Sequence, residues 1–220
     1  IFLSNEMKNE ACAVYKITKD KCKVIYPSIT IKDFKNKNNL EKIFNKDFFN
    51  IVYSGALGQK QNPNEIFNTA QILVKKNTNT RFYFFSSGHE FDRLKKENLS
   101  CDVIFRDLVK QEDLPELLFK SDLQLISQMK GSSKGSLPSK LPNILASGTP
   151  VLAITDHGSE LQEILIDQDG CFVFNDWNIE KISDLINYLS LKKNQKYNRT
   201  NKLEIFMPDY IMKSIKKMIT

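Results

Sequence analysis

The sequence predicts an α/β fold, a parallel six-stranded sheet with helices on both faces. Three observations carry that expectation. Short apolar runs recur at residues 51–54, 81–86, 102–105, 122–127, 151–154 and 171–174, each the length of a buried strand. Single helix-period segments separate them, the alternation that builds βαβ units and a sheet covered on both faces. Glycine, serine and lysine collect in the loops after these runs, where open parallel sheets bind their ligands.

Each element has a local reason. Ser4 is placed to cap a helix over 5–15, and 22–26 reads as a short strand before Pro27. Residues 28–46, polar and rich in Lys and Asn, read as a linker, and the main domain begins near Asn50. After the first strand comes the turn Gly55-Ala56-Leu57-Gly58-Gln59-Lys60-Gln61. Asn62 is expected to cap the next helix, with Pro63 at its first position and Glu65 completing a capping box. Ile66, Phe67, Ala70, Leu73 and Val74 share one face of it. The run RFYFFS ends in Ser87-Gly88 and leads to a helix over 89–97; another helix covers 113–120. A Gly/Ser/Lys loop passes through Leu137-Pro138-Ser139-Lys140 into a short helix that Gly148 stops, and Thr149-Pro150 leads into the fifth strand. Ser159 with Gln162 resembles a capping box for a helix reaching Ile166. Helices over 179–191 and 210–219 close the chain.

Composition narrows the class without naming a partner. The 220 residues are 41% hydrophobic and 26% charged, with a net charge of +6, ordinary for a soluble domain that can bind phosphates, nucleic acid or anionic lipid. Much of the surplus is scattered lysine. Cys12, Cys22, Cys101 and Cys171 form no C-x-x-C pair, so zinc and a dense disulfide framework are not expected, and thiols in a reducing cytoplasm are. No signal peptide or membrane-length apolar run stands in the sequence. Because it begins at Ile1, the chain is expected to be a fragment of a longer one.

The chemistry-bearing residues sit in the loops 55–61, 86–90, 106–111, 128–140 and 155–159. Gly55 and Gly58 let a ligand approach the backbone, and Lys60 can reach a phosphate. The stretch is neither G-x-G-x-x-G nor a P-loop, and a plain tight turn explains it equally well. Lys140, read as standing in a first helical turn, opposes the helix dipole and so calls for a nearby anion, with a solvated lysine as the even alternative. Two lysines facing one diphosphate would each contribute about 4 kcal/mol at about 4 Å and an effective dielectric near 20, before desolvation. Asn143 falls on the same helix face and can hydrogen-bond a sugar hydroxyl, or be a surface amide. Ser139 either binds or caps, and Ser87, Gly88 and Ser136 complete the loop candidates. His89 and His157 are lone loop histidines, a class more often plain surface than catalytic. Glu160 and Glu163 are explained by dipole stabilisation in a first turn. The last helix, apolar at Ile211, Met212, Ile215, Met218 and Ile219 and basic at Lys213, Lys216 and Lys217, suits a membrane surface, although packing back onto the fold is commoner.

The series IVYSGALGQKQ, FFSSG, VIFRDLVKQEDLPELLFKSDLQLI, LPSKLPNILASGTPVLA and GSELQEI resembles the carboxyl-terminal half of GT-B glycosyltransferases. It is most similar to the family 4 type of bacterial surface polysaccharide and lipopolysaccharide assembly, such as colanic-acid and fucosamine transferases, over roughly residues 50–175. The resemblance implies a Rossmann-like domain at 50–200 that binds a UDP- or GDP-linked sugar. Residues 1–26 would end the amino-terminal acceptor domain, 27–49 would link the two, and 201–220 would form a crossover helix. It implies Lys60 and Lys140 as catalytic cations, matches Gly55 and Lys60 to the family's glycine turn and phosphate-binding lysine, and sets Lys140 and Asn143 in the donor-facing helix; together with the loop candidates Gly58, Ser87, Gly88, Ser136 and Ser139 they make up the expected donor site. The acceptor would be a glycan or a polyprenyl-diphosphate-linked sugar, on a cytoplasmic protein with peripheral contact to the inner membrane surface, without metal or nucleic acid. Two departures stand out: Ala56 where many relatives carry a basic residue, and Gly135 and Asn143 where many carry a Glu pair. A nucleotide-sugar epimerase of the same architecture and a non-catalytic Rossmann-like module are the alternatives.

Overall fold

A computed structural model describes residues 1–31, 40, 43–134, 137–199 and 203–219. Six strands, β1 (Phe49–Ser54), β2 (Thr80–Phe85), β3 (Val103–Arg106), β4 (Leu123–Ser127), β5 (Val151–Ile154) and β6 (Cys171–Phe174), form one sheet in the order β3-β2-β1-β4-β5-β6. Every pairing is parallel, with Ile51 level with Phe82 on one side and Leu123 on the other. The helices are α1 (Asn5–Tyr15), α2 (Pro63–Lys76), α3 (His89–Glu97), α4 (Leu114–Lys120), α5 (Leu141–Ala146), α6 (Glu160–Leu165), α7 (Ile179–Ser190) and α8 (Pro208–Ile219). This is the Rossmann-like arrangement that the alternation of runs predicts.

Both faces are buried, and the pleat divides the strand residues between them. Ile51, Tyr53, Phe82 and Phe84 pack with Ile66, Ala70 and Leu73 of α2 and Ile182 and Ile186 of α7. On the other face Ile126, Val151 and Ala153 meet Ile144 of α5 and Leu161 and Leu165 of α6, while Val52, Tyr83 and Phe85 meet Leu117 of α4 and the buried Leu40 and Phe44. Arg199 is buried as a staple: its guanidinium donates to the carbonyls of Asp169, Leu145, Thr149 and Gly170 at 2.7–3.3 Å. It thereby ties the end of α5 to the starts of β5 and β6.

Several local expectations change. Asn62 has φ 56° and makes no side-chain cap, so the box with Glu65 does not form. Its left-handed backbone closes the preceding 3-10 turn, whose Gln61 Oε1 accepts from Gly58 N at 3.0 Å instead. Ser159 caps α6 through Gln162 N as expected, but the Gln162 side chain accepts from Gly158 N, one residue earlier than a box requires. The strand expected at 22–26 is reduced to one bridge, Phe2 to Val24, because α1 begins three residues after Phe2 and leaves no strand to pair with. Residues 32–39 and 41–42 of the expected linker lie outside the described residues. Its described ends are packed rather than free: Ile29 N donates to Phe206 O at 2.8 Å.

Glu160 does more than complement a dipole. It is 5% exposed, and its carboxylate accepts from Asn5 N and Glu6 N, both at 2.9 Å, from Asn5 Nδ2 at 3.1 Å, and from Tyr26 OH at 2.6 Å. One carboxylate in the first turn of α6 therefore also satisfies the amino end of α1, holding the 1–31 segment onto the sheet domain. The partners lie more than 130 positions away, beyond any local pattern.

Candidate active site

The strand order reverses between β1 and β4, and at their carboxyl ends lies a cleft of ≈ 310 Å³. Its walls come from Tyr53 within β1, Gly55 and Lys60 after it, Gln128 after β4, and Ser139 and Lys140 ahead of α5. Such a switch point is where doubly wound sheets bind ligands, because the loops on either side part there.

The cleft is built from bonds that cross the gap. Gly55 has φ 109°, open to glycine and strained for other residues. Its N–H donates to Phe85 O at 2.9 Å, and its carbonyl accepts from Ser86 Oγ at 2.7 Å. From the β4 side, Met129 N donates to Lys60 O and Ser127 Oγ to Gln61 O, both at 2.7 Å. These two bonds clamp the β1–α2 turn to the end of β4. The Lys60 side chain is left exposed at the rim.

Lys140 is placed differently from its sequence expectation. It is the N-cap of α5, a six-residue helix, rather than a first-turn residue pointing at an anion. Its Nζ reaches back to β1 and donates to Ser54 O at 2.8 Å, 4.1 Å from the centre of the Tyr53 ring. Burial of the amine pushes its pKa down to about 7, since desolvation disfavours the charged form. The outcome is a cation held at the floor of the cleft by a carbonyl and a ring face, with no carboxylate facing it in the described wall. A charge there responds strongly to an incoming anion.

Of the other candidates, Gly55, Lys60 and Ser139 line this cleft. Gly58 belongs to the turn behind Lys60, where it bonds Gln61. Ser87 and Gly88 stand exposed beyond β2, outside the lining. Asn143 faces away: its Oδ1 accepts from Thr30 N at 2.9 Å and its Nδ2 donates to Thr30 Oγ1 at 3.0 Å, so it anchors the 28–31 segment. The same-face argument fails because Lys140 precedes the helix and its side chain folds back. Ser136 and Gly135 lie outside the described residues. Both histidines are exposed, His89 beside Glu90 at 3.4 Å. Among the described residues no group of three His, Cys, Asp or Glu is placed to hold a metal ion.

Sequence reasoning missed Asp156. Its carboxylate accepts from Gly131 N at 2.9 and 3.0 Å and from Ser133 Oγ at 2.7 Å, pinning the loop after β4 to the end of β5. Burial pulls this carboxyl up, and the Ser133 and Gly131 bonds more than offset it, holding it below the ordinary carboxylate range. A carboxylate directly after an apolar strand, beside a Gly/Ser-rich loop, was the available signal.

A parallel sheet in this order, with Lys60 and Lys140 both lining a cleft at its switch point, is the doubly wound α/β class. The chain belongs to the family glycosyl transferases group 1, whose family model matches residues 34–203. It is 30% identical over 131 residues to the putative colanic acid biosynthesis glycosyl transferase WcaI of Escherichia coli (strain K12), a match covering 58% of this chain and 31% of that protein. Its fold is similar to a glycosyltransferase from Rickettsia africae ESF-5, with TM-score 0.73 and 16% identity over 98% of this chain and 61% of that one. It is also similar to Anabaena Alr3699/HepE, solved in complex with UDP and glucose, with TM-score 0.69 and 13% identity over 96% of this chain and 60% of that one. The match to WcaI thus spans about a third of that relative's length. Among the described residues no helix is long and apolar enough to cross a membrane.

Proposed function

We propose that this chain is the donor-binding half of an enzyme that transfers a sugar from a nucleoside-diphosphate sugar to a glycan or lipid-linked acceptor in surface polysaccharide synthesis. The observation that carries the reading is the pair Lys60 and Lys140, brought to one cleft from opposite sides of the switch point. Family membership supports the class of reaction. The diphosphate lies against Gly55, with Lys60 above it and the Lys140 amine below. As the glycosidic bond breaks, negative charge grows on the departing diphosphate, and both ammonium groups stabilise it. Lys140 contributes most when that charge is greatest, because a developing anion raises the pKa that burial lowers. Ser139 donates to a phosphate oxygen. Asn143 takes no part in donor binding and holds the 28–31 segment instead.

In this reading residues 1–26 belong to the acceptor half and 201–220 cross back to it. The exposed face of α8, with Lys213 and Lys217, meets the cytoplasmic surface of a membrane. An epimerase of the same architecture is disfavoured by the family match. Calorimetric titration of the chain with UDP and with GDP tests the proposal. One of the two binds with a single site, and Lys60→Ala weakens it at least tenfold with little change in melting temperature. Absence of binding by both nucleotides to the chain and to its full-length parent would sink the donor assignment.

A further inference from the structure

The segment ahead of the sheet domain buries almost nothing of its own except two thiols. Of residues 5–31 only Cys12 and Cys22 are buried, at 6% and 7% exposed, and both are free cysteines. The chain brings them together by reversing its direction. α1 ends at Lys16, whose backbone is left-handed at φ 53°, and Ile17 N donates to Cys12 O at 3.2 Å. A single 3-10 turn over Lys19–Lys21 follows, and Cys22 N closes it on Lys19 O at 3.1 Å. The reversal sets the two side chains against one another, with the Cys22 thiol as hydrogen-bond partner of the Cys12 thiol.

Little else holds the carboxyl end of α1. Glu160 satisfies the amino end, whereas Val14, Tyr15 and Ile17 at the other end are exposed. A helix of 11 residues is marginal in water without packing, so the thiol pair is its buried contact there. Burial raises the Cys12 pKa, its Cys22 neighbour raises it further, and Lys8 and Lys19 pull it back. The other side of the pair is better anchored. Phe2 N donates to Lys23 O at 2.9 Å, Ile25 N to Phe2 O at 2.8 Å, and Tyr26 OH to the Glu160 carboxylate at 2.6 Å. A bond between the sulfurs would therefore join a weakly held helix end to a held segment.

We propose that Cys12 and Cys22 form a reversible dithiol–disulfide pair, closed by a small-molecule disulfide of the glutathione type, and that closing it locks the carboxyl end of α1 to the 22–26 segment. One protein thiolate attacks a sulfur of the small disulfide, displaces one thiolate and leaves a mixed disulfide. The second protein thiolate attacks the protein sulfur of that bond and displaces the other half. The pair loses two electrons and two protons, and the small disulfide takes them up as two thiols. Residues 13–21 between the cysteines are all exposed, so no core packing resists the short approach of the sulfurs, and the reagent has a path in. The fold already closes the loop from residue 12 to residue 22. Ring closure is therefore favoured in the native chain, and by linkage the disulfide stabilises that fold by the same factor, about a hundredfold for a loop of this length.

The test is oxidation of the full chain with mixtures of oxidised and reduced glutathione, in a Cys101→Ser background that removes the exposed thiol. Acid quenching, alkylation and mass mapping of an unreduced digest read the product. The Cys12 and Cys22 peptides should be recovered joined, with both thiols lost and no glutathione retained. At a fixed glutathione mixture the ratio of disulfide to dithiol should be about a hundredfold higher in the native chain than in urea. Hydrogen exchange at residues 12–16 should slow by a similar factor on oxidation. Cys12→Ser should remove the cross-link and the exchange response together, leaving Cys22 to hold one glutathione. A persistent glutathione adduct with no cross-link, a cross-link to Cys171, or an equal ratio in urea would each overturn the proposal. Exchange unchanged by oxidation, or slowed also in Cys12→Ser, would overturn the lock on α1.

Discussion

Raising the pH probes the proposed donor cleft more selectively than any truncation, because burial brings the Lys140 pKa down to about 7. At about pH 8 the free amine carries roughly a tenth of its charge, whereas a diphosphate restoring an ordinary lysine pKa of about 10.4 would hold it fully charged. Nucleotide binding should then take up about 0.9 proton at that pH. The affinity should weaken toward about tenfold per pH unit between about 7.5 and 9.5. Calorimetry with UDP or GDP in two buffers of different ionisation enthalpy, at matched pH, counts the proton directly. Lys140→Met should abolish the uptake and flatten the pH dependence. The same group predicts a stability trend of fixed sign. Its folded pKa lies below its unfolded one, so its cost is full below about pH 7 and fades as pH climbs toward about 10.4. An affinity independent of pH between about 7 and 9, with no proton taken up, would refute the contact between Lys140 and the ligand.

Three structural predictions accompany it. Glu160→Gln keeps one acceptor oxygen and leaves one of the two N–H groups of Asn5 and Glu6 facing an amide NH2, and should lower stability by about 1–3 kcal/mol in urea unfolding; an unchanged midpoint would contradict the strut. Gly148→Ala puts a Cβ 2.9 Å from Tyr197 O at φ 71°, and should destabilise by about 1–3 kcal/mol, read as a fall in melting temperature. Asp156→Ala should release the loop after β4, raising hydrogen exchange at Gly131 and Ser133 while the core helices keep their protection. In the wild-type chain the Asp156 carboxyl sits below its ordinary range, so the stability it contributes is present above about pH 4 and lost as pH falls through its folded pKa.

The strand at 151–154 and the helix start at Ser4 were readable because their causes are local: an apolar run after Thr-Pro, and a hydroxyl three residues ahead of a free N–H. Asn62 was misread for an equally local reason, since its left-handed backbone depends on the 3-10 turn before it. Lys60 and Gly55 were legible as loop residues after a strand. Asp156 was not, because its partners belong to a different loop.

What the sequence by itself determined was the alternation of strands and helices, and with it the parallel sheet whose carboxyl edge carries the candidate site loops. Period and run length are properties of neighbouring residues, and burial on two faces follows from them. Only the tertiary structure decided which way the long polar side chains turn. Lys140 folds back to Ser54 and Asn143 turns to Thr30, while Glu160 reaches α1. A flexible lysine, amide or carboxylate takes the direction that its distant hydrogen-bond partners supply, and those partners stand 86 to 155 positions away in the chain.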